Sequence, residues 1–160
     1  MGQKKETLAA PEKKDILGSM EHILTTSVYK KGQDRGGRKI KYYKFNDTLI
    51  ESVESDASFL AEQFHLTPKQ AVLFTIIIDL SKGESFEISD LFDMTEIEYI
   101  KALPIKGELR SLEKAMLIRK DSSSYKIPKD VVECLEKNQP YINPWLSNLS
   151  TANILSRMSR

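Results

Sequence analysis

The chain has 160 residues, of which 40% are apolar and 29% charged, with a net charge of +1. This composition indicates one globular domain of ordinary size with appended segments and argues against a disordered chain. There is no apolar run long enough for a membrane span, and the first residues lack the apolar stretch of a secretion signal, so we expect a soluble, cytoplasmic protein. The single cysteine, Cys134, excludes a disulfide framework and a multi-thiolate metal site within one chain; we expect it to be a small buried hydrophobe.

Charge is unevenly distributed along the sequence. Residues 1–50 contain eleven Lys/Arg and six Asp/Glu, whereas residues 66–138 contain eleven Lys/Arg and thirteen Asp/Glu. The net charges are therefore +5 and −2, and the basic excess lies outside the segment that we expect to form most of the core.

The first periodic segment follows Pro11. Apolar residues recur at three- and four-residue steps from Ile16 to Val28, which predicts an amphipathic helix that ends at Gly32. The sequence "RKIKYYKF" after it predicts a short strand or an extended arm. Gly32 and Gly37 have the GxxxxG separation of a phosphate-binding loop, but basic residues follow instead of Lys and then Ser/Thr, which favours a flexible turn.

Two helices are predicted next. The first begins at Asn46, with Thr48 and Glu51 spaced as a capping box, and closes at His65. The second has the strongest boundary signals, because Thr67, Pro68 and Gln70 form its N-terminal signature and Gly83 stands where a C-terminal cap belongs. Between these signals "AVLFTIIIDL" is apolar nearly all round, which predicts the central helix of the core.

A strand, a short helix, a turn and a longer helix follow in the order of a helix-turn-helix. "ESFEI" predicts the strand, Ser89 is positioned to cap the short helix "DLFDM", and Thr95 with Glu98 predicts a capping box for the longer helix. Pro104 should kink or divide this longer helix. Its predicted apolar face consists of Ile97, Ile100, Leu109, Leu112 and Met116.

The segments "LIRK" and "YKIP", joined by "DSSS", predict a β-hairpin directly after that helix. A hairpin in this position is a wing. A final helix is predicted from Val131 to Asn138.

Residues from about Leu66 to Asn138 therefore resemble a winged helix-turn-helix domain, mainly α (α+β) with a small wing and an extra N-terminal helix. "LTPKQAVLFTIIIDLSKGESFEISDLFDM" and "YIKALPIKGELRSLEKAMLIRK" are similar to the winged-helix segment ahead of the ATPase domain in a group of bacterial AAA-type ATPases. The domain organisation expected is an N-terminal helix and basic arm at 1–45, the winged helix at 46–138 and a linker or docking tail at 139–160. No Walker-type loop occurs in these 160 residues, so we expect a non-enzymatic chain without a cofactor.

The DNA-binding use of this fold implies that the third helix enters the major groove and that the wing contacts the neighbouring backbone. The resulting partner is double-stranded DNA. Candidate phosphate contacts are Lys106, Arg110 and Lys114 on the helix, Arg119, Lys120 and Lys126 on the wing, and Arg38, Lys39, Lys41 and Lys44 on the arm.

Acidic residues keep a second interpretation open. Glu96 and Glu98 precede the third helix, and Glu108 and Glu113 flank its basic stripe, where they would repel phosphates. The alternative is a protein-interaction domain for an ATPase domain, another protein partner or a second copy in a homodimer. Its candidate contacts are Tyr99, Ala102 and Trp145. The acidic spacing of Asp90, Asp93 and Glu96 could suggest a metal site, but helix N-termini favour acids for dipole reasons alone.

Overall fold

The computed structural model describes residues 13–143. Its elements in chain order are α1 Ile16–Ser27, β1 Val28–Gln33, β2 Lys39–Tyr43, α2 Asp47–Ser52, α3 Glu54–Phe64, α4 Pro68–Ser81, β3 Ser85–Glu87, α5 Ile88–Thr95, α6 Tyr99–Lys114, β4 Arg119–Asp121, β5 Ser124–Lys126 and α7 Lys129–Glu136. The described chain is mainly α with two small antiparallel sheets. The predicted fold class, mainly α (α+β) with a β-hairpin and an additional N-terminal helix, is confirmed.

Helix α4 is the centre of the core, as its sequence predicts. The Thr67 hydroxyl accepts a hydrogen bond from the backbone of Gln70, and the Gln70 side chain accepts one from the backbone of Thr67, which completes the capping box. Every residue from 71 to 77 is buried, so α4 is enclosed on all sides in this stretch. The helix ends with left-handed backbone at Lys82 and Gly83.

The first helix is shorter than predicted. α1 ends at Ser27, and Val28 begins a strand that pairs with Tyr43, while Gly32 lies within this strand. The helical spacing of the apolar residues gave the wrong prediction at Val28, because strand pairing with a distant segment determines the backbone conformation there. The predicted flexible turn is present at Gly37, which has a φ of +80° and is followed by strand β2.

The predicted helix from Asn46 to His65 is two helices, which is a second correction. α2 and α3 meet at Val53, whose backbone is non-helical and whose side chain is buried. The cap is also different, because the Asn46 side chain accepts the Leu49 N–H. The Val53 side chain thus adds to the apolar core at the junction of α2 and α3.

The caps of α5 and α6 differ from the predicted ones. Glu87 and Asp90, and not Ser89, form the capping box of α5. Thr95 is the last residue of α5 and its hydroxyl donates to the Leu91 carbonyl, so it forms no box with Glu98. Helix α6 continues through Pro104 undivided. Pro104 lies in the second turn, where the helix loses only the hydrogen bond to the exposed Ile100.

The predicted hairpin after α6 is confirmed. β4 and β5 pair antiparallel through a two-residue turn at Ser122 and Ser123, and β3 completes a sheet of order β3-β5-β4. The Phe86 and Tyr125 rings stack with centroids 5.3 Å apart and attach this sheet to the core. The last helix begins and ends two residues earlier than predicted.

One apolar core runs from Ile16 to Tyr141. Helix α1 packs on α3 and α4 within it. A buried carboxylate, Asp56 of α3, accepts hydrogen bonds from the side chains of Lys14, Ser19 and His22 and so ties α1 to α3. The N-terminal helix is therefore part of the packed body, while the division into segments at 45 and 138 stays a prediction.

Candidate nucleic-acid interface

The ten predicted cationic residues lie on three elements. Four are on the hairpin formed by β1 and β2, three on α6 and three on the wing formed by β4 and β5. All are exposed except Lys106, which is half-buried. Each element presents these charges differently.

We call residues 28–44 the basic ribbon. It contains seven Lys/Arg and one Asp, a net charge of +6, and every one of the seven cationic side chains is exposed. Sequence reasoning missed three of the seven, because it assigned two of them to the end of a helix and the third to a glycine loop. They are Lys30, Lys31 and Arg35. The "GG" pair at 36–37, flanked by strand-like segments, was the available signal for a hairpin.

The only acidic residue of the ribbon has a structural role in its turn. Asp34 accepts hydrogen bonds from the backbone N–H groups of Gly36 and Arg38, at 2.9 and 2.8 Å, and from Arg38 Nε at 3.0 Å. The backbone hydrogen bond from Arg38 is the largest cause that lowers the pKa of Asp34. The Asp34 carboxylate therefore stabilises the turn. Among the ribbon's cationic side chains, it offsets only the charge of Arg38.

The ribbon is anchored firmly at its base. Ser27 and Lys44 exchange two hydrogen bonds, one from the Lys44 N–H at 2.8 Å and one from the Ser27 hydroxyl at 2.7 Å. The Tyr43 phenol donates to Asp79 of α4 at 2.6 Å, and Lys41 lies 3.1 Å from the same carboxylate. These contacts fix the direction in which the ribbon leaves the core.

Two lysines of the ribbon lie over tyrosine rings. Lys30 Nζ is 4.3 Å from the Tyr42 ring centroid, and Lys44 Nζ is 5.7 Å from that of Tyr29. Tyr29 is 44% exposed. The surface thus interleaves cations with aromatic rings, a combination suited to phosphates and sugar edges.

The wing is short and partly neutralised. Lys126 Nζ lies 2.8 Å from Asp121, and this hydrogen bond is the main cause that lowers the pKa of the Asp121 carboxyl. Lys120 is opposite Tyr125, whereas Arg119 is opposite Lys126. Because opposed residues share a sheet face, Lys120 lies on the side of the buried Tyr125 and the other two cations lie on the opposite side.

Helix α6 turns one face away from the core. Its buried residues are Ala102, Ile105, Leu109 and Leu112. At 100° per residue, the opposite side, which we call the outer face of α6, contains Ile100, Leu103, Gly107, Arg110, Ser111 and Lys114. Arg110 and Lys114 are exposed there, and Lys106 lies at its margin.

The first turns of α6 expose large apolar side chains. Tyr99 is 66%, Ile100 73% and Leu103 41% exposed. The prediction that Ile100 and Met116 belong to a buried face is therefore wrong, since Met116 is also 40% exposed. Ala102, proposed from sequence as a partner contact, is buried at 1% exposure and cannot serve as one. Trp145 lies outside the described residues.

A groove of about 840 Å³ separates the base of the ribbon from the start of α6. Its charged lining is balanced, with three lysines and three acids: Lys44, Lys69, Lys101, Asp47, Glu96 and Glu98. Glu96 also pairs with Lys30 across 3.6 Å. The groove therefore has no excess of positive charge, and the cationic surface is the outer part of the ribbon.

Within residues 13–143, no three His, Cys, Asp or Glu side chains are arranged to hold a metal ion. Asp90, one of the acids considered for such a site, instead accepts the Glu87 N–H. Cys134 is half-buried and packs against the core. In the same part of the chain, no helix is both long and apolar enough to cross a membrane.

Comparison of the chain with protein-family models, with curated proteins and with solved structures gives no match.

Proposed function

We propose that this chain is a non-enzymatic winged helix-turn-helix module that binds double-stranded DNA, with the basic ribbon as its main phosphate-contacting surface. The observation that carries the proposal is the net charge of +6 on one anchored antiparallel hairpin whose seven cationic side chains are all exposed. A two-stranded ribbon fits the major groove of B-DNA, and phosphate contacts supply most of the sequence-independent affinity.

The wing and the second half of α6 supply further cations. Arg119 and Lys126 on one face of the wing, and Arg110 and Lys114 on α6, extend the candidate surface. The first half of α6 contributes little to DNA binding in this proposal, because its exposed side chains other than Lys101 are apolar and two glutamates precede it. DNA is therefore held mainly through its backbone, with little base readout.

The experiment is a titration of a random-sequence duplex of about 20 base pairs, followed by fluorescence anisotropy over a salt series. The ribbon variant is Lys31→Glu/Lys39→Glu, which reverses one exposed lysine on each strand and leaves the hydrogen bonds of the turn in place. The matched control, Lys129→Glu/Lys137→Glu, makes the same change in net charge at two exposed lysines, one at the first residue of α7 and one directly after its last. We expect the ribbon variant to weaken binding by about tenfold or more and the control by about twofold or less.

Two results would overturn the proposal. One is a wild-type affinity that does not fall with increasing salt. The other is an equal loss of affinity in both variants, which would mean that DNA responds to net charge alone and not to the ribbon.

The exposed apolar start of α6 favours a second function, protein interaction. An AAA-type ATPase domain is the partner that the sequence resemblance suggests. Its test is the ATP hydrolysis rate of such a domain with and without this chain. We expect an effect that Leu103→Glu removes and that Lys31→Glu/Lys39→Glu leaves in place; no effect of the wild-type chain would reject this partner.

A further inference from the structure

Tyr29 is the extra residue of a β-bulge at the base of the basic ribbon. Val28 pairs with Tyr43. The next pair along the ladder joins Lys30 to Tyr42, so Tyr29 has no partner on the opposite strand of the ribbon. A bulge interrupts the alternation of side chains along a strand and redirects the side chain of the extra residue. The Tyr29 side chain lines the groove between the ribbon and the start of α6, and it is 44% exposed.

The surroundings of the Tyr29 ring leave room for a flat ligand. Lys44 Nζ and Lys30 Nζ lie 5.7 and 6.0 Å from the ring centroid, whereas Lys30 Nζ lies only 4.3 Å from the centroid of Tyr42. Neither ammonium group is therefore in close contact with the Tyr29 ring, whose exposed surface is open to stacking. Both cations are near enough to meet the phosphate of a nucleotide that stacks there.

The groove beside this ring suits an uncharged heterocycle. Its volume of about 840 Å³ lies within the range of sites for small organic ligands, roughly 300 to 1,000 Å³. Three lysines and three acids leave its lining without net charge, and its apolar lining includes the buried Phe45, Leu49 and Ile105. A nucleobase is also uncharged and has apolar faces. The groove therefore fits a base better than it fits a phosphate.

The groove also offers hydrogen-bonding groups to the edge of a base. Carboxylates accept hydrogen bonds from the amino groups of bases, and ammonium and hydroxyl groups donate to ring nitrogens and carbonyl oxygens. Several polar side chains of the lining make no hydrogen bond or ion pair with another residue in the range 13–143. They include Asp47, Thr48, Lys69, Glu98 and Lys101.

We infer that Tyr29 and the groove take up an unpaired nucleobase of a DNA strand whose phosphates are bound by the basic ribbon. The inference rests on the proposed function and names the preferred form of DNA, a duplex with a single-stranded extension. Bases inside a duplex are stacked and paired, so only an unpaired base offers its face and its edge together.

The ribbon and the groove can be reached by one strand, because Tyr29 and Lys44 belong to the ribbon and also line the groove. The acidic residues of the groove are consistent with this division of roles. Glu96 and Glu98 repel phosphates, but they do not repel a neutral base. The phosphates stay on the cationic ribbon, and the base enters the groove.

The experiment compares two duplexes of about 20 base pairs, each with roughly four extra nucleotides at both ends of one strand. In one duplex the extra nucleotides are deoxyadenosines. In the other they are abasic and carry the same phosphates, so a difference in affinity measures the unpaired bases alone. We expect the wild-type chain to bind the deoxyadenosine-tailed duplex about tenfold more tightly in fluorescence anisotropy.

Substitutions of Tyr29 test the stacking. Tyr29→Ala should abolish the preference but keep the affinity for the abasic-tailed duplex within about twofold of wild type, because every cation of the ribbon remains. Tyr29→Phe keeps the ring and should keep the preference. The matched control is Tyr99→Ala, which removes a tyrosine that is 66% exposed and lies outside the groove lining. A preference that survives Tyr29→Ala, or that Tyr99→Ala removes equally, would overturn the inference.

A free nucleotide distinguishes a base on a strand from a base alone. Deoxyadenosine monophosphate at about 1 mM should not displace the tailed duplex, because phosphate contacts on the ribbon hold the strand's base near the groove at a high effective concentration. Displacement at this concentration would assign the groove to free nucleotides and contradict the inference.

The inference and the proposed function fail in different ways. Equal affinity of the wild-type chain for the two tailed duplexes overturns the inference and leaves duplex binding by the ribbon in place. A chain that binds neither tailed duplex, nor the blunt one, overturns both.

Discussion

The Tyr43 phenol donates a 2.6 Å hydrogen bond to the Asp79 carboxylate and so joins the second strand of the basic ribbon to the central helix α4. Tyr43 is 1% exposed. Burial first, and then the hydrogen bond to Asp79 and its negative charge, raise the pKa of Tyr43 far above the ordinary value. This contact connects the candidate DNA-binding element to the most deeply buried helix.

Tyr43→Phe should lower the free energy of unfolding by about 1 to 2 kcal/mol at neutral pH, because Asp79 loses a buried donor. Tyr42→Phe is the control, since its ring packs with Lys30 and the substitution keeps the ring; we expect a change within about 0.5 kcal/mol. Urea unfolding provides the measurement. Equal effects of the two substitutions would exclude a special contribution from the contact with Asp79.

The same variant should show a distinct dependence on alkaline pH. The folded pKa of Tyr43 lies above the unfolded value of 10.0, so its contribution is complete below pH 10 and is lost as the pH rises further. The stability difference between wild type and Tyr43→Phe should therefore shrink above pH 10. A difference that stays constant across this range would show that Tyr43 ionises alike in both states.

Asp56 should govern acid stability. Burial acts to raise its pKa, but hydrogen bonds from Lys14, His22 and Ser19 outweigh burial, and the pKa is lowered from 3.8. Its contribution is thus present above about pH 4 and is lost as the pH falls through the folded pKa. Asp56→Asn should cost about 1 to 3 kcal/mol at pH 7 and less at pH 3.

The control for Asp56 is Asp93→Asn, which changes an exposed carboxylate on α5. Its effect on urea unfolding should stay within about 0.5 kcal/mol at both pH values. If Asp56→Asn matched this control at pH 7, the hydrogen-bonded cluster between α1 and α3 would make no net contribution to stability.

Gly107→Ala should raise the free energy of unfolding by up to about 1 kcal/mol. The new methyl group meets only the flexible end of Arg110. Gly37→Ala provides the contrast, because its φ of +80° strains any side chain, and this substitution should destabilise. Thermal unfolding followed by circular dichroism would measure both, and destabilisation by Gly107→Ala would contradict the open space around this residue.

Salt dependence should distinguish two neighbouring lysines of the ribbon. Each phosphate contact contributes about 0.9 to the slope of log affinity against log salt. Lys39→Ala should lower the slope by about this amount, whereas Lys41→Ala should lower it less, because Asp79 already partly neutralises Lys41 at 3.1 Å. Identical slopes for wild type and Lys39→Ala would remove Lys39 from the interface.

Local sequence signals predicted the parts of the fold that local chemistry determines. Thr67, Pro68 and Gln70 define the start of α4 through contacts within four residues, and "DSSS" contains the two-residue turn of the wing. Both were therefore readable from sequence. The strand conformation of Val28 could not be predicted from the sequence, because it depends on pairing with Tyr43, fifteen residues further along. Helical periodicity alone does not reveal a strand partner that is distant in the sequence.

The candidate site could be predicted only in part, because long-range pairing also determines its arrangement. Four of the seven cationic residues of the ribbon were predicted as contacts, but the grouping of all seven depends on the ribbon, which long-range strand pairing creates. Ile100 has the same apolar character as the buried Ile105, and only tertiary packing makes one 73% exposed and the other 3%. The position of Pro104 did not help either, because a proline predicts a kink or a break and α6 continues through it undivided.

The direct passage from α1 into β1 has a mechanical consequence. Ser27 ends the helix, Val28 begins the strand, and the paired hydrogen bonds between Ser27 and Lys44 close the base of the hairpin. With no residue between helix and strand, a tilt of α1 would carry the ribbon with it and displace the tip at 34–38 the most, and the hydrogen bond from Tyr43 to Asp79 of α4 opposes this movement. A load applied at the tip is likewise transmitted to α1, which is held to α3 by core packing and by the hydrogen bonds to Asp56.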